Sequence, residues 1–306
     1  MEGGRLRVST IITASREDAL YFLFGVLMLH RNYLAYNVID HCTFRCKNCT
    51  TYSEYAKPKF SQISSYENDV KKISEVLRVN KFELYGGEPL LHPQLVDYIL
   101  IAKKHNLSKT VSVVTNGQLL PKQSDEFYSV VDNIVVSFYS KSHVDYDPIF
   151  DMLFDKKEKY GFSLDIKEQT LFTKYHLLYK QDDEATKYAF KKCWAKDRFN
   201  EDGCHTLSEG YYYKCSKPIS QERFLKDAKM EIEHDFLKED GVYLHDDNLE
   251  ERLSAYIGSN EPLKSCSYCT GFEPPKIVST NPVPTLQQEW VEWEMLPKKK
   301  PQGYPR

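Results

Sequence analysis

Apolar and polar positions follow two different periods along the first 180 residues. Tyr33–Asp40 is a nearly continuous apolar run and predicts a strand. Val70, Ile73, Val76 and Leu77 repeat at about 3.6 residues and predict a helix over Val70–Leu77. Phe82–Tyr85 predicts a short strand ending at Gly86-Gly87, and Pro93–His105 a helix with proline in its first turn. Thr110–Val114 reads as a strand ending at Asn116-Gly117. Asn133–Phe138 is another strand, Pro148–Lys159 a helix and Ser163–Ile166 a further strand. This alternation predicts a parallel sheet covered by helices. The glycine-containing and polar turns follow the strands, at the end where α/β folds place their active sites.

The pattern changes near Ala185. Cys204–Leu207 and Tyr211–Cys215 read as the arms of a hairpin joined by Ser208-Glu209-Gly210. Asn248–Tyr256 reads as a helix, and Cys266-Ser-Tyr-Cys269 as a loop. The divisions predicted are an N-terminal extension (1–32), an α/β domain (33–185), a cysteine-bearing domain (186–273) and a Pro-rich, loosely ordered tail (274–306). Within the extension, Ala19–Leu29 reads as a helix packed on the main domain; the other reading has translation starting at Met28.

Composition narrows the classes. The chain has 306 residues, 41% of them hydrophobic, with a net charge of −3, so nothing global points to nucleic acid or an anionic membrane. The Lys298-Lys299-Lys300 run beside Pro297 and Pro301 reads as a solvated tail. Ala19–Leu29 is shorter than the roughly 20 residues needed to span a bilayer and lacks an export cleavage site. A cytoplasmic protein is expected. Its eight cysteines then indicate metal or catalysis rather than a disulfide framework.

The first cysteines are Cys42, Cys46 and Cys49, spaced C-x3-C-x2-C after the first strand. Three thiolates from one loop can hold three corners of a [4Fe–4S] cube and leave the fourth iron open to a small ligand. A structural zinc site takes four ligands and is the alternative on chemistry alone. This loop resembles the signature of the radical S-adenosylmethionine superfamily. The resemblance covers about residues 33–180 and implies a partial (β/α)6 barrel whose open iron binds S-adenosylmethionine. Cleavage of that cofactor yields a 5′-deoxyadenosyl radical that abstracts a substrate hydrogen. Asn48 stands where many members have an aromatic residue near the adenine, and Phe44 is the nearest apolar residue in the loop. Gly86-Gly87-Glu88-Pro89 resembles the family's cofactor-binding turn, in which glycines allow close backbone approach and the carboxylate faces the methionine amino group. Thr115-Asn116-Gly117 matches a common family position, and Ser137 is a ribose-contact candidate.

Five cysteines remain: Cys193, Cys204, Cys215, Cys266 and Cys269. A fully protein-bound [4Fe–4S] cluster takes four. Gly210-x4-Cys215 followed by Cys266-x2-Cys269 resembles the small α+β auxiliary-cluster domain called Twitch, a relative of SPASM, with Cys193 or Cys204 as the remaining ligand. The alternative is a zinc site of Cys204, Cys215, Cys266 and Cys269 with His205 nearby. The cysteine left over, Cys193 or Cys204, is either a spare buried thiol or a hydrogen-atom donor to a substrate radical, which would make an epimerase.

The resemblance implies an oxidoreductase acting on a sugar-like small molecule, oxidising or epimerising a carbohydrate or cyclitol alcohol, with reducing electrons from a flavodoxin or ferredoxin. The alternatives are a maturase of a ribosomal peptide and a non-catalytic iron–sulfur or zinc protein. Glu168 and Tyr139, at strand ends, are candidates to face substrate; His92 is a candidate base or a structural helix-start histidine.

Overall fold

The computed structural model describes residues 28–46, 48–53, 56–139, 144–169, 171–173, 175–193, 195, 203–271 and 288–290. The expectations for residues 1–27, for Lys298–Lys300 and for most of the Pro-rich tail lie outside the described residues.

Five parallel strands form the first part of one sheet: β1 (Leu29–Ile39), β2 (Leu77–Gly86), β3 (Ser108–Thr115), β4 (Asn133–Phe138) and β5 (Ser163–Glu168). Four helices accompany them: α1 (Ile63–Ile73), α2 (Leu95–Lys104), α3 (Asp125–Val130) and α4 (Asp147–Tyr160). The fold is the α/β arrangement that the pattern predicts, with longer strands. β1 begins at Leu29, so the end of the expected Ala19–Leu29 helix belongs to the sheet. The expected helix Val70–Leu77 divides: α1 ends at Ile73, where the Ser74 hydroxyl donates to the Val70 carbonyl at 2.5 Å. Val76 leads directly into β2, whose Leu77 and Val79 are buried at a period of two.

Strand alternation separates two faces. Leu34, Tyr36 and Val38 on β1, Phe82 and Leu84 on β2, Val111 and Val113 on β3, and Ile134 and Val136 on β4 form one apolar core with Tyr66, Val70 and Ile73 of α1 and Tyr98, Ile99 and Ala102 of α2. The intervening residues, among them Tyr33, Ala35, Glu83, Tyr85, Val135 and Ser137, line a cavity on the opposite face.

β6 (Leu171–Thr173) pairs antiparallel with β10 (Gln288–Trp290) instead of extending the sheet beyond β5. The sixth parallel strand of the sheet lies on the other side of β1: β7 (Thr206–Ser208) pairs Ala35 with Thr206 and Tyr36 with Leu207. β8 (Tyr211–Tyr213) and β9 (Gly241–Tyr243) continue it antiparallel, so the sheet order is β5-β4-β3-β2-β1-β7-β8-β9. The hairpin loop is two residues, Glu209 and Gly210, at φ 49° and 83°, the left-handed pair that matches strand twist in a tight hairpin. Asp69 of α1 holds that turn: its Oδ2 accepts from Gly210 N at 3.0 Å and its Oδ1 pairs with His245 Nε2 at 3.2 Å.

Four further helices are α5 (Asp183–Lys192), α6 (Lys217–Asp227), α7 (Phe236–Glu239) and α8 (Leu249–Gly258). α5 crosses the point where the sequence pattern changes; it is capped by Asp182 Oδ1, which accepts from Ala185 N at 2.8 Å. No helix among the described residues is long and apolar enough to cross a membrane.

Candidate active site

The cysteine loop leaves the end of β1 and is clasped by the turn after β2. Gly87 N donates to Ile39 O at 2.8 Å and Glu88 N to His41 O at 3.0 Å. A Cβ on Gly86 would lie 2.2 Å from Ile39 O, and one on Gly87 would lie 2.0 Å from His41 O. The close approach of two backbones, cysteine loop against turn, therefore requires both glycines, a constraint that stands beside the ligand approach the sequence suggested. Asn48 sits at φ 61°, a left-handed conformation that asparagine adopts more readily than an aromatic residue.

Glu88 is fully buried and turns toward β3. Its Oε1 accepts from the Thr115 hydroxyl at 2.6 Å and from Leu90 N at 3.0 Å; its Oε2 accepts from Asn116 N at 2.8 Å. Burial pushes its carboxyl up to about 7 against the pull of these donors. Here Glu88 shapes the site through its neighbours. Asn116, fixed by it, directs Nδ2 to Thr43 Oγ1 at 2.9 Å and to Cys42 Sγ at 3.6 Å; Phe44 N reaches the same sulfur at 3.3 Å. Pro89 starts a buried 3-10 turn, Pro89–Leu91, and does not line the cavity.

The cavity on the inner face of the sheet has a volume of about 390 Å³. Cys42, Cys46, Cys49, Phe44, Gly86, Gly87, Thr115, Asn116, Ser137 and Tyr139 all line it, so the structure brings together most of the residues singled out in the sequence. Phe44 packs edge-on against Tyr139, with ring centroids 5.6 Å apart. Two candidates fall elsewhere. His92 is buried on the outer side, where its Nδ1 accepts from Gln94 N at 3.1 Å and its ring packs on Phe60 and Tyr98. Glu168 pairs with Phe138 and does not line the cavity; Lys167, itself exposed but paired with cavity-facing Ser137, lines it, as does Gln169. Residues that sequence reasoning missed, Tyr33, Glu83, Tyr85, Lys167 and Gln169, share the strand parity of Ser137 and Tyr139. Glu83 accepts from the Tyr33 hydroxyl at 2.7 Å and pairs with Lys81 at 2.6 Å.

A second cavity of about 450 Å³ is lined by Cys193, Cys215, Cys266 and Cys269, with His205 in its wall. Cys204 lines the first cavity instead. Two buried side chains clamp the Cys266–Cys269 turn. Asp240 accepts from Lys264 N and, at 2.8 Å, from Ser265 N; Gln181 Nε2 donates to Cys269 O at 2.7 Å. Burial pushes the Cys269 thiol up to about 11 and those of Cys42, Cys215 and Cys266 further, so a positive charge is needed to make them thiolates.

The donor sets fit iron–sulfur chemistry. Three thiols in one wall, with amide donors to Cys42 Sγ, suit a cluster left open on one iron, and four thiols around one cavity suit a closed one. Of the alternative zinc grouping, Cys215, Cys266, Cys269 and His205 line the second cavity and Cys204 lines the first.

Comparison with known proteins adds a family. Residues 36–140 match the family model of the radical SAM superfamily. Similar curated proteins include the GTP 3',8-cyclase of Microcystis aeruginosa, 32% identical over 101 residues that make up 32% of this chain and 31% of that protein. That of Gloeobacter violaceus is 35% identical over 102 residues, 32% of this chain and 31% of that protein. The chain thus matches about a third of the length of these curated relatives. Among solved structures, BtrN in complex with AdoMet and 2-DOIA aligns with 80% of this chain and 95% of its own at 13% identity and a TM-score of 0.46. AdoMet-bound anSMEcpe aligns with 78% and 82% at 14% identity and a TM-score of 0.45.

Proposed function

Because residues 36–140 are a radical S-adenosylmethionine superfamily domain, we propose that the chain is an enzyme that abstracts hydrogen from a carbohydrate or cyclitol alcohol and so oxidises or epimerises it. When bound, the [4Fe–4S] cluster on Cys42, Cys46 and Cys49 and its S-adenosylmethionine supply the 5′-deoxyadenosyl radical. The observation that carries the reading is the inner cavity, with three thiols at one end and hydrogen-bonding side chains around the rest.

Gly86, Gly87 and Asn116 fix the cofactor end. Ser137 and Tyr139 continue that wall on β4. On the same face of the sheet, on β2, Glu83 presents a carboxylate already oriented by Tyr33 and Lys81, a suitable acceptor for a substrate hydroxyl. Tyr85, Lys167 and Gln169 add donors and acceptors. Such a lining fits a polyhydroxylated ring better than an extended apolar chain.

Cys193, Cys215, Cys266 and Cys269 would hold the auxiliary [4Fe–4S] cluster in a Twitch-like unit. That set leaves Cys204 as the fifth thiol, in the substrate cavity. Oxidation is the first reading: the carbinol radical left by hydrogen abstraction would lose one proton and one electron to become the carbonyl, and the auxiliary cluster, when bound, would accept that electron. In the epimerase reading, Cys204 returns a hydrogen atom to the substrate radical and becomes a thiyl, which one electron from the external reductant, a flavodoxin or ferredoxin, and one proton from solvent restore to the thiol. The GTP 3',8-cyclase relatives share too little of the chain to pass on their named reaction, and GTP enters the assay as one substrate to be tried.

The test is anaerobic reconstitution, quantification of iron and sulfide, and addition of dithionite and S-adenosylmethionine. About eight irons per chain and formation of 5′-deoxyadenosine, both reduced in Cys42→Ala, support the reading. Intact clusters without cofactor cleavage would favour a non-catalytic iron–sulfur protein; tight binding of a leader peptide would favour a peptide maturase.

A further inference from the structure

Lys217 opens α6 two residues after Cys215, yet it is only 4% exposed. Its Nζ donates to the carbonyl of Thr50, the residue after Cys49, at 2.6 Å, and stands 3.6 Å from the centroid of the Tyr175 ring. It lines both cavities, as only Cys215 and Ala195 also do among the described residues. The ammonium therefore occupies the wall between the two groups of cysteines, tied at one end to the loop of the first and carried on the segment that bears a member of the second.

A buried ammonium is costly without opposite charge, and Lys217 pairs with no carboxylate among the described residues. Thiols of both sites share its cavities: Cys49 in the first, Cys193, Cys266 and Cys269 in the second, and Cys215 in both. A carbonyl and an aromatic face can orient a cation, but they do not neutralise it. Thiolates holding clusters on both sides would.

We propose that Lys217 is an electrostatic bridge between the two cysteine sites, a fixed positive charge that compensates the clusters on both sides and raises both reduction potentials. The inference rests on the reading above that both sites hold clusters. Its physical basis is general. Each electron added to a cluster adds one negative charge, and a nearby buried cation favours that reduced state; net charge, hydrogen bonding and exposure are what set such potentials. No bond is made or broken and no proton moves. Lys217 is a positioning residue that acts on the two clusters through its charge.

The test uses the full chain with both sites loaded, and reads the midpoint potential of each cluster by redox titration followed by electron paramagnetic resonance. Lys217→Gln removes the charge and keeps a donor for the Thr50 carbonyl. Lys217→Met removes both, and Lys217→Arg keeps the charge. In both neutral variants, reduction is expected to become at least tenfold less favourable at each cluster, with each tenfold equal to 59 mV for one electron. Lys217→Arg is expected to stay within threefold of wild type. Neutral variants within threefold of wild type at both clusters would overturn the proposal, as would a shift confined to one cluster, which makes Lys217 a local residue of that site. Lys217→Arg shifted as far as the neutral variants would overturn it too. Wild-type protein with only one cluster would instead defeat the underlying reading, and the iron and sulfide count separates that result from the others.

Discussion

Replacing Gly87 with alanine tests whether the clasp between the cysteine loop and the turn after β2 holds the first site together. The added Cβ would lie 2.0 Å from His41 O and 2.3 Å from His41 C, and the obstacle is backbone, which cannot rotate away as a side chain can. Restoring ordinary contact requires the two segments to part by roughly an ångström or more. That separation breaks the bonds from Gly87 N to Ile39 O at 2.8 Å and from Glu88 N to His41 O at 3.0 Å. Two hydrogen bonds at about 1 kcal/mol each, plus about 1–3 kcal/mol for overpacking, give a destabilisation of roughly 3–5 kcal/mol. Cys42 follows His41 directly, so iron bound after reconstitution should fall as well. The assay is urea denaturation of the cluster-free chain, followed by iron and sulfide analysis after reconstitution. Gly258→Ala is the control, at the end of α8 with nothing within 4 Å of the new atom; it should be neutral or gain up to about 1 kcal/mol. A Gly87→Ala protein within about 1 kcal/mol of wild type, with full iron, would refute the reasoning.

Three further expectations follow from the same geometry. The Glu88 carboxyl, raised to about 7 by burial, keeps its proton in the folded chain while the unfolded chain has lost it. This group therefore makes stability fall as pH rises between about 4.5 and 7, by about 3 kcal/mol. Glu88→Gln should flatten that part of a urea-midpoint profile, and an unchanged slope would count against the assignment. Asp240→Ala strands the buried N–H of Ser265 and removes the acceptor of the part-buried Lys264 N–H, and should cost roughly 1–3 kcal/mol, with iron lost from the second site; equal iron in mutant and wild type would show that the turn does not need its clamp. Cys193→Ala should lose second-site iron while Cys204→Ala keeps it, and the reverse result in elemental analysis would exchange their roles.

The chemistry of the first site was legible because its parts are contiguous in sequence. Cys42, Cys46 and Cys49 occupy one loop, Gly86 and Gly87 one turn, and the structure places both at the same end of the sheet. The inward set of strand residues was partly legible. Ser137 and Tyr139 share a parity, and carrying that parity across the ladder to β5 gives Lys167 and Gln169 in place of Glu168. Registers between strands are set by packing, and a single strand does not reveal them. The direction of Glu88 depends on Thr115 and Asn116, 27 and 28 residues later, so no local pattern announces it. α6 escaped because its buried face is Lys217, Pro218, Ser220, Gln221 and Leu225, too polar for a hydrophobic period to mark. The division of the five later cysteines between two cavities is likewise a fact of tertiary structure: Cys204 and Cys215 bracket one hairpin, and only Cys215 lines the second cavity.

The pairing of β7 with β1 has a consequence for how the protein is made. Ala35 waits for Thr206, about 170 residues further along the chain, so one edge of β1 stays open while most of the polypeptide emerges from the ribosome. Closing so long a loop is slow, and an open strand edge invites pairing with other chains. The strand that covers this edge, β7, arrives on the same short segment that carries Cys204 and Cys215. A product cut short before Thr206 would expose a bare, aggregation-prone edge along with the thiols of Cys42, Cys46, Cys49, Cys193 and Cys204. Synthesis of the intact protein calls for the hairpin to dock on β1 before that open edge meets another chain.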